Sequence, residues 1–369
     1  DARPHGEPVP ALRAPAQRLM FRRALVIKLR HHGDVLLTAP VLSALAAAAP
    51  GIEIDALVYE ETRDMLELHP HLARLHAIPR DWRNLGAFAQ LARYWRLYRE
   101  LKSRRYDLIV HLTDHWHGAR LARLLRPRVS VGPVGTKHGA LANWLWNRSF
   151  SALFPVPPGN QRHTVEMHLD ALRTIGIPVA NKAMSFRPGP QAQASVARRV
   201  AARGFILVHP TSRWMFKAWP AQSMAELVNS LLARGERIVL SAAPSAEERA
   251  YMADLKPRLR GDYLDLTGQL SLKELGALIA QARLLIGVDS MPVHLASAVG
   301  TPVVVLFGPS GDVEWGPWGV PHRVVTAPFP CRPCGNKGCG DGGVSDCLTA
   351  IPSAQVLSAV VSLLAEVRR

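Results

Sequence analysis

The residues whose types and spacing suit chemistry fall in three short stretches. The sequence Asp289-Ser290-Met291-Pro292-Val293-His294 follows an apolar, β-branched run at residues 284–288 and opens a segment with apolar residues at helical spacing. Its first residues therefore lie at the carboxyl end of a strand and at the positive end of a helix, where an open α/β sheet binds an anion. Asp289, Ser290 and His294 in one turn could grip a sugar hydroxyl and a phosphate together. Read as structure alone, Asp289 or Ser290 caps the helix and His294 packs on it. The second stretch, residues 209–220, carries Thr211, Ser212 and Lys217 after another apolar strand, and hydroxyls with a point charge suit diphosphate oxygens. The bland alternative is an exposed loop with an incidental lysine. Glu247 and Glu248, beyond the next strand, either accept from a ribose hydroxyl or are first-turn helix acids. The third stretch is Arg30-His31-His32-Gly33-Asp34. There Gly33 offers backbone that another molecule can approach closely, and Asp34 stands at a sheet's carboxyl edge as a proton acceptor or merely as an N-cap.

Strand and helix signals must alternate to place these stretches, and they do. In the first half strands are expected at 24–29, 54–59, 106–112 and 130–132, with helices at 35–49 (kinked by Pro40), 61–68, within 81–103, 119–125 and 164–175. Pro178, Pro188 and Pro190 mark a linker, so residues 21–180 and 181–369 are expected to form two domains. A second series gives strands at 205–209, 237–241, 263–266, 284–288, 303–307 and 324–325. Its helices fall at 221–233, 246–259, 272–280, 292–299 and 353–367. This is the rhythm of two parallel, doubly wound sheets with helices on both faces. Neither half carries G-x-G-x-x-G or G-x-x-x-x-G-K-[ST], which disfavours dinucleotide dehydrogenases and P-loop NTPases.

The chain is 48% hydrophobic and its mean hydropathy is +0.03, the balance of a globular protein. Its longest apolar stretches fall short of the roughly 20 residues of a membrane span. Residues 1–20 read as a disordered lead-in without a signal-peptide core, and Met20 is a candidate natural start. With 45 Lys and Arg against 29 Asp and Glu, the net charge of +16 points to polyanionic partners: nucleic acid, an anionic lipid surface or a phosphorylated glycan. The absence of an RNP-like strand, zinc-finger pattern or basic recognition helix lowers the nucleic-acid option. All four cysteines lie between Cys331 and Cys347, with Cys334 and Cys339 inside a Gly-rich loop. Such a cluster forms a zinc site, two disulfides or reduced thiols; the cytosol is the expected compartment, which argues against disulfides. The cluster is expected to pin a loop far from the chemistry.

Three motifs in order, R-H-H-G-D-V-L-L-T-x-P at residues 30–40, H-P-T-S-R-W-M-F-K-x-W-P at 209–220, and G-V-D-S-x-P-x-H-L-A with G-T-P-V-V-x-L-F-G-P from Gly287 onward, resemble the lipopolysaccharide heptosyltransferases of glycosyltransferase family 9. The resemblance covers residues 21–367 and is nearest the heptosyltransferase III type, which adds a branch heptose to the inner core. It implies a GT-B fold of two facing Rossmann-like domains, the first binding a lipid A-core acceptor and the second ADP-L-glycero-D-manno-heptose. It also implies inverting transfer needing no metal or cofactor, at the inner face of the inner membrane, where a basic surface suits anionic lipid. On this resemblance Asp34 is the base, with Arg30, His31, His32 and Gly33 on the acceptor side. Thr211, Ser212, Lys217, Ser290 and Met291 cradle the leaving diphosphate, Asp289 meets heptose hydroxyls, His294 the phosphate side and Glu247 the ribose. Met291 stands where many members have glycine, which makes close backbone approach to phosphate harder. A nucleotide-sugar epimerase, a transferase of another sugar and a basic nucleic-acid-binding module are the alternatives.

Overall fold

The computed structural model describes residues 21–367 apart from Leu85, Lys137, His138 and Ala202; the expected lead-in lies outside the described residues. Two six-stranded, wholly parallel sheets organise the chain. The first contains β1 (Arg23–Ile27), β2 (Glu53–Tyr59), β3 (Leu72–Ile78), β4 (Leu108–His111), β5 (Val129–Pro133) and β6 (Ala152–Phe154), in the order β3-β2-β1-β4-β5-β6. The second contains β7 (Ile206–His209), β8 (Ile238–Leu240), β9 (Leu264–Asp265), β10 (Leu284–Val288), β11 (Val303–Leu306) and β12 (His322–Val325), in the order β12-β11-β10-β7-β8-β9. Renumbered from its own first strand, the second order is the first one repeated. Each sheet thus reverses direction of winding once, between β1 and β4 and between β7 and β10, and a crevice opens outside the strand ends at each reversal.

The central strands are apolar throughout because both faces are covered. In the first half α3 (Ala87–Ser103), α4 (Trp116–Leu125) and α5 (Ala140–Asn147) cover one face, where Leu97, Leu101, Ala119, Leu121 and Trp146 join one core with Leu25 and Ile27. Helices α2 (Ala39–Ala48) and α6 (Thr164–Thr174) cover the other. The expected helix at 35–49 is two pieces, α1 (His32–Leu36) and α2. They are separated at Leu37-Thr38, with Pro40 in the first turn of α2, where its missing N–H costs nothing.

In the second half α8 (Ala221–Ala233), α9 (Ala246–Leu255) and α14 (Ser353–Val367) lie on one face, α7 (Pro190–Arg199) and α10 (Leu272–Ile279) on the other. Helix α11 (Met291–Val299) ends at Gly300, whose φ of 81° is the left-handed cap that glycine adopts without strain. Short helices α12 (Asp312–Trp315) and α13 (Asp346–Thr349) complete the chain.

The two halves meet through a shared core. Val35, Leu36 and Ala39 pack with Val293, Leu295 and Ala296 of α11. Polar contacts flank it: Asn160 donates to Asp312 at 3.2 Å and accepts from the Glu314 amide at 2.8 Å, while His163 Nε2 meets the Gly316 carbonyl at 2.9 Å.

Candidate active site

Both reversal points carry the residues singled out in the sequence. At the first, α1 begins directly after β1 and places Asp34 in its opening turn, with no side-chain cap at His31. Beneath Asp34 lies the buried Lys28, its Nζ 3.9 Å from Asp34 Oδ1. Lys28 donates to the Leu112 carbonyl at 2.9 Å and to His168 Nε2 at 2.9 Å. His168 uses its other ring nitrogen, Nδ1, on the Leu37 carbonyl at 3.0 Å, so Nδ1 carries the hydrogen and Nε2 offers a lone pair to the lysine. Burial pulls the Lys28 ammonium down to about 8, against the opposing attraction of Asp34, and burial also holds His168 well below the ordinary histidine range. Nothing in periodicity flags Lys28 or His168; only the packing of α6 against the end of β1 brings them together.

A cavity of about 190 Å³ opens beside this group. Lys28, Arg30, Asp34, Thr113, Asp114 and His168 give it polar walls, Trp146, Phe154 and Met167 apolar ones, and Glu314 and Trp315 reach in from the second half. Arg30 stands 3.6 Å from Asp114. The neighbouring histidines divide: His31 is exposed at the cleft, whereas His32 Nε2 is engaged with the Glu61 carbonyl at 2.7 Å. Burial lowers the affinity of both rings for a proton. Gly33 does permit a close approach, but by the protein itself: a Cβ there would sit 2.8 Å from His294 Cδ2.

At the second reversal point Lys217, in a 3-10 turn over Met215–Lys217, donates to Asp289 Oδ2 at 2.6 Å. The two residues expected to touch different parts of a donor are therefore each other's partners. Thr211 and Ser212 are buried; Thr211 Oγ1 donates to Glu248 Oε2 at 2.6 Å, and the same oxygen accepts the Ala243 amide at 2.9 Å. Of the two adjacent acids it is Glu248 that turns inward, three residues after the N-cap Ser245, while Glu247 faces outward in the first turn of α9. The sequence favoured Glu247 for the ribose; helical phase gives the inward position to Glu248. Ser290 is the N-cap residue of α11 in extended conformation, its hydroxyl donating to the Val288 carbonyl at 3.0 Å, and Met291 is the first helical residue. Met291 packs against the shared core while remaining partly exposed.

His294, expected on the phosphate side, lies on α11 against Gly33 of the first half. It is buried between the halves, its Nδ1 has no hydrogen-bond partner among the described residues, and burial lowers it to about 4 against the pull of Asp289 and Asp34. Burial thus favours the neutral ring, which forms a wedge within electrostatic reach of both carboxylates. Arg213, exposed beside the Lys217 turn, is felt by His31 and His32 across the cleft and was not singled out by sequence.

The cysteine loop is not remote. Ser345 Oγ donates to the Phe216 carbonyl at 2.6 Å, immediately before Lys217, and Cys347 Sγ packs at the end of β11, 3.4 Å from where a Cβ on Gly308 would stand. All four cysteines are free thiols, and among the described residues no group of three or more His, Cys, Asp or Glu is arranged to hold a metal ion.

Two Rossmann-like halves with the same strand order, facing across a carboxylate on one reversal point and a lysine, hydroxyls and a helix N-terminus on the other, define the GT-B class of glycosyltransferase. Residues 94–344 match the family described as glycosyltransferase family 9 (heptosyltransferase). A lipopolysaccharide heptosyltransferase 3 of Escherichia coli is 34% identical over 295 residues, 79% of this chain and 84% of the relative. The chain belongs to glycosyltransferase family 9. Its fold is also that of a family 9 glycosyltransferase from Veillonella parvula (TM-score 0.76, 22% identity, covering 95% of this chain and 99% of the other). A structure of E. coli heptosyltransferase WaaC with ADP is similar too (TM-score 0.73, 22% identity, covering 92% and 99%).

Proposed function

We propose that the protein transfers L-glycero-D-manno-heptose from its ADP conjugate to the inner core of a lipid A-linked lipopolysaccharide, as a branch and with inversion. The observation that carries the reading is the pairing of reversal points, Asp34 with the cavity beside it on one and Lys217, Thr211 and the start of α11 on the other. Residues 21–180 hold the acceptor and residues 181–369 the donor. The similarity to relatives named for heptose transfer, one of them a heptosyltransferase 3, supports the sugar and the acceptor class.

The chemistry follows from the residues. An acceptor hydroxyl in the cavity gives its proton to Asp34 as its oxygen bonds the anomeric carbon, and the bond from that carbon to the diphosphate breaks. Negative charge growing on the leaving ADP meets the Lys217 ammonium and the backbone dipoles at Met291. Lys217 spends one N–H on Asp289 Oδ2 and keeps two for the diphosphate, while Asp289 keeps Oδ1 to accept from a heptose hydroxyl. Glu248, fixed by Thr211 and the Ala243 amide, sets the nucleotide side of the pocket. In this reading the reaction needs no metal or cofactor, and the enzyme works at the cytoplasmic face of the inner membrane without binding nucleic acid. Among the described residues no helix is long and apolar enough to cross a membrane.

The test is incubation with ADP-heptose and a panel of truncated core acceptors, with and without EDTA. One heptose mass should be added to acceptors that expose the right core sugar, equally in both conditions. ADP release without acceptor, or EDTA-abolished transfer, would contradict the reading.

A further inference from the structure

The layer α3, α4 and α5 covers the first sheet with one set of side chains and shows an unusual outer face with the other. On α3, Leu97 and Leu101 point into the core, whereas Phe88, Leu91 and Trp95, spaced three and four apart on the opposite side, are 90%, 67% and 58% exposed. Arg99 and Lys102 continue the same stripe one and two turns on, since successive positions at this spacing share a face. On α5, Trp146 is buried and lines the acceptor cavity, while Leu141 and Trp144 are 71% and 51% exposed on the outside. Arg148, at the end of α5, lies over the Trp144 ring at 4.7 Å.

Charge selects among possible occupants. The three helices carry six cations, Arg93, Arg96, Arg99, Lys102, Arg120 and Arg123, against the single acid Glu100. Bulky apolar groups beside a one-signed basic surface suit an interface with acyl chains below and phosphate headgroups above. A second copy of this chain, itself carrying +16, would bring like charge against like. Position agrees, because helices that return along a parallel sheet start at its carboxyl edge. Phe88, Leu91, Leu141 and Trp144 therefore sit at the end of the layer nearest the cleft, and α5 is a wall shared by that face and the acceptor cavity.

We propose that this outer face of α3 and α5 seats the enzyme on an anionic lipid bilayer, with the aromatic and aliphatic side chains in the interface and the arginines and Lys102 among the headgroups. The proposal rests on the transferase reading only for its purpose, which is to bring the cavity to a lipid-anchored acceptor. Vesicle sedimentation tests it with the full chain, using phosphatidylglycerol-phosphatidylcholine vesicles and phosphatidylcholine alone. The parent should bind the anionic vesicles preferentially and leave them in about 1 M salt, where the screening length is about 3 Å. F88S/L91S/W95S, L141S/W144S and R96E/R99E/K102E should each lower partitioning by about tenfold or more. All three should keep parental turnover on a delipidated, water-soluble core acceptor, so a wrong sugar or acceptor assignment would show there while vesicle binding stayed intact. Equal binding to neutral and anionic vesicles, variants that partition as the parent does, or a parental dimer that F88S/L91S/W95S dissolves would overturn the proposal.

Discussion

Replacing Lys28 with methionine should make the protein much less active while its stability relative to the parent falls as pH rises, a combination that a purely structural, always-charged lysine would not give. The folded state pulls the Lys28 ammonium from the ordinary 10.5 down to about 8, chiefly through burial. At 1.36 kcal/mol per unit, carrying that charge costs folding about 3 kcal/mol at pH 7. Because the folded value is depressed, the cost is full below pH 8 and fades as pH rises from 8 towards 10.5, where the unfolded chain also releases the proton. Lys28→Met removes the cost but leaves two buried acceptors, the Leu112 carbonyl and His168 Nε2, without their donor, a loss of about 1 to 3 kcal/mol for each and about 2 to 6 kcal/mol together. Asp34, whose side chain is 19% exposed, keeps access to water. The net change at pH 7 therefore lies between about 1 kcal/mol of added stability and about 3 kcal/mol of loss, and the variant should lose about 2 kcal/mol more relative to the parent by pH 10. Transfer should drop at least about tenfold, because the cavity loses the cation 3.9 Å from Asp34 and the anchor of its far wall. Urea melts of both proteins at pH 7 and pH 10, beside initial rates on one acceptor, read all three quantities. A stability difference that does not change with pH would refute the buried-charge argument, and unchanged turnover would remove Lys28 from the site.

Two further pairs of substitutions probe the donor side. Lys217→Ala should weaken ADP binding by about 1.5 to 3 kcal/mol in calorimetry, the worth of a charge-assisted contact, whereas Asp289→Ala frees Lys217 and should leave ADP affinity equal or better while raising KM for ADP-heptose. If both variants bind ADP as the parent does, the nucleotide lies elsewhere. Glu248→Ala leaves the Thr211 hydroxyl and the Ala243 amide without an acceptor and should cost about 2 to 4 kcal/mol in denaturant melts, while the outward Glu247→Ala should stay within about 0.5 kcal/mol. The reverse ranking would mean that the inward phase of α9 is wrong.

The second half was almost wholly legible because its strands are unbroken β-branched runs and its helices carry strong periodicity. β7, α8, β10, α11 and α14 fall where the pattern puts them. The first half hid more. β3 lies at the sheet's edge with Arg74 outward and His76 inward, so it lacks both alternation and an apolar run. The expected helix at 61–68 is a short 3-10 segment, Glu60–Met65, held by the Thr62 hydroxyl on the Tyr59 carbonyl. α5 and β6 were missed there, as was α7 at the start of the second half. β6 has only three residues, and α7 starts at Pro190, which marks a breaker in sequence but occupies a first-turn position in the fold. Among site residues, Asp34, Lys217 and Asp289 were visible because strand ends and glycine or hydroxyl neighbours announce them. Lys28, His168 and the inward turn of Glu248 depend on contacts far apart in sequence, and His294 of α11 is buried only because α1 packs over it.

The central claim is that Asp34 takes the acceptor proton while the opposite half holds the nucleotide, and Asp34→Asn tests it most directly. The substitution keeps the size and polarity of the side chain and removes only its ability to accept a proton. Transfer to the responsive core acceptor should fall by roughly 10²- to 10⁴-fold, with ADP affinity unchanged within about twofold. Turnover near that of the parent, with ADP bound equally well, would contradict the account.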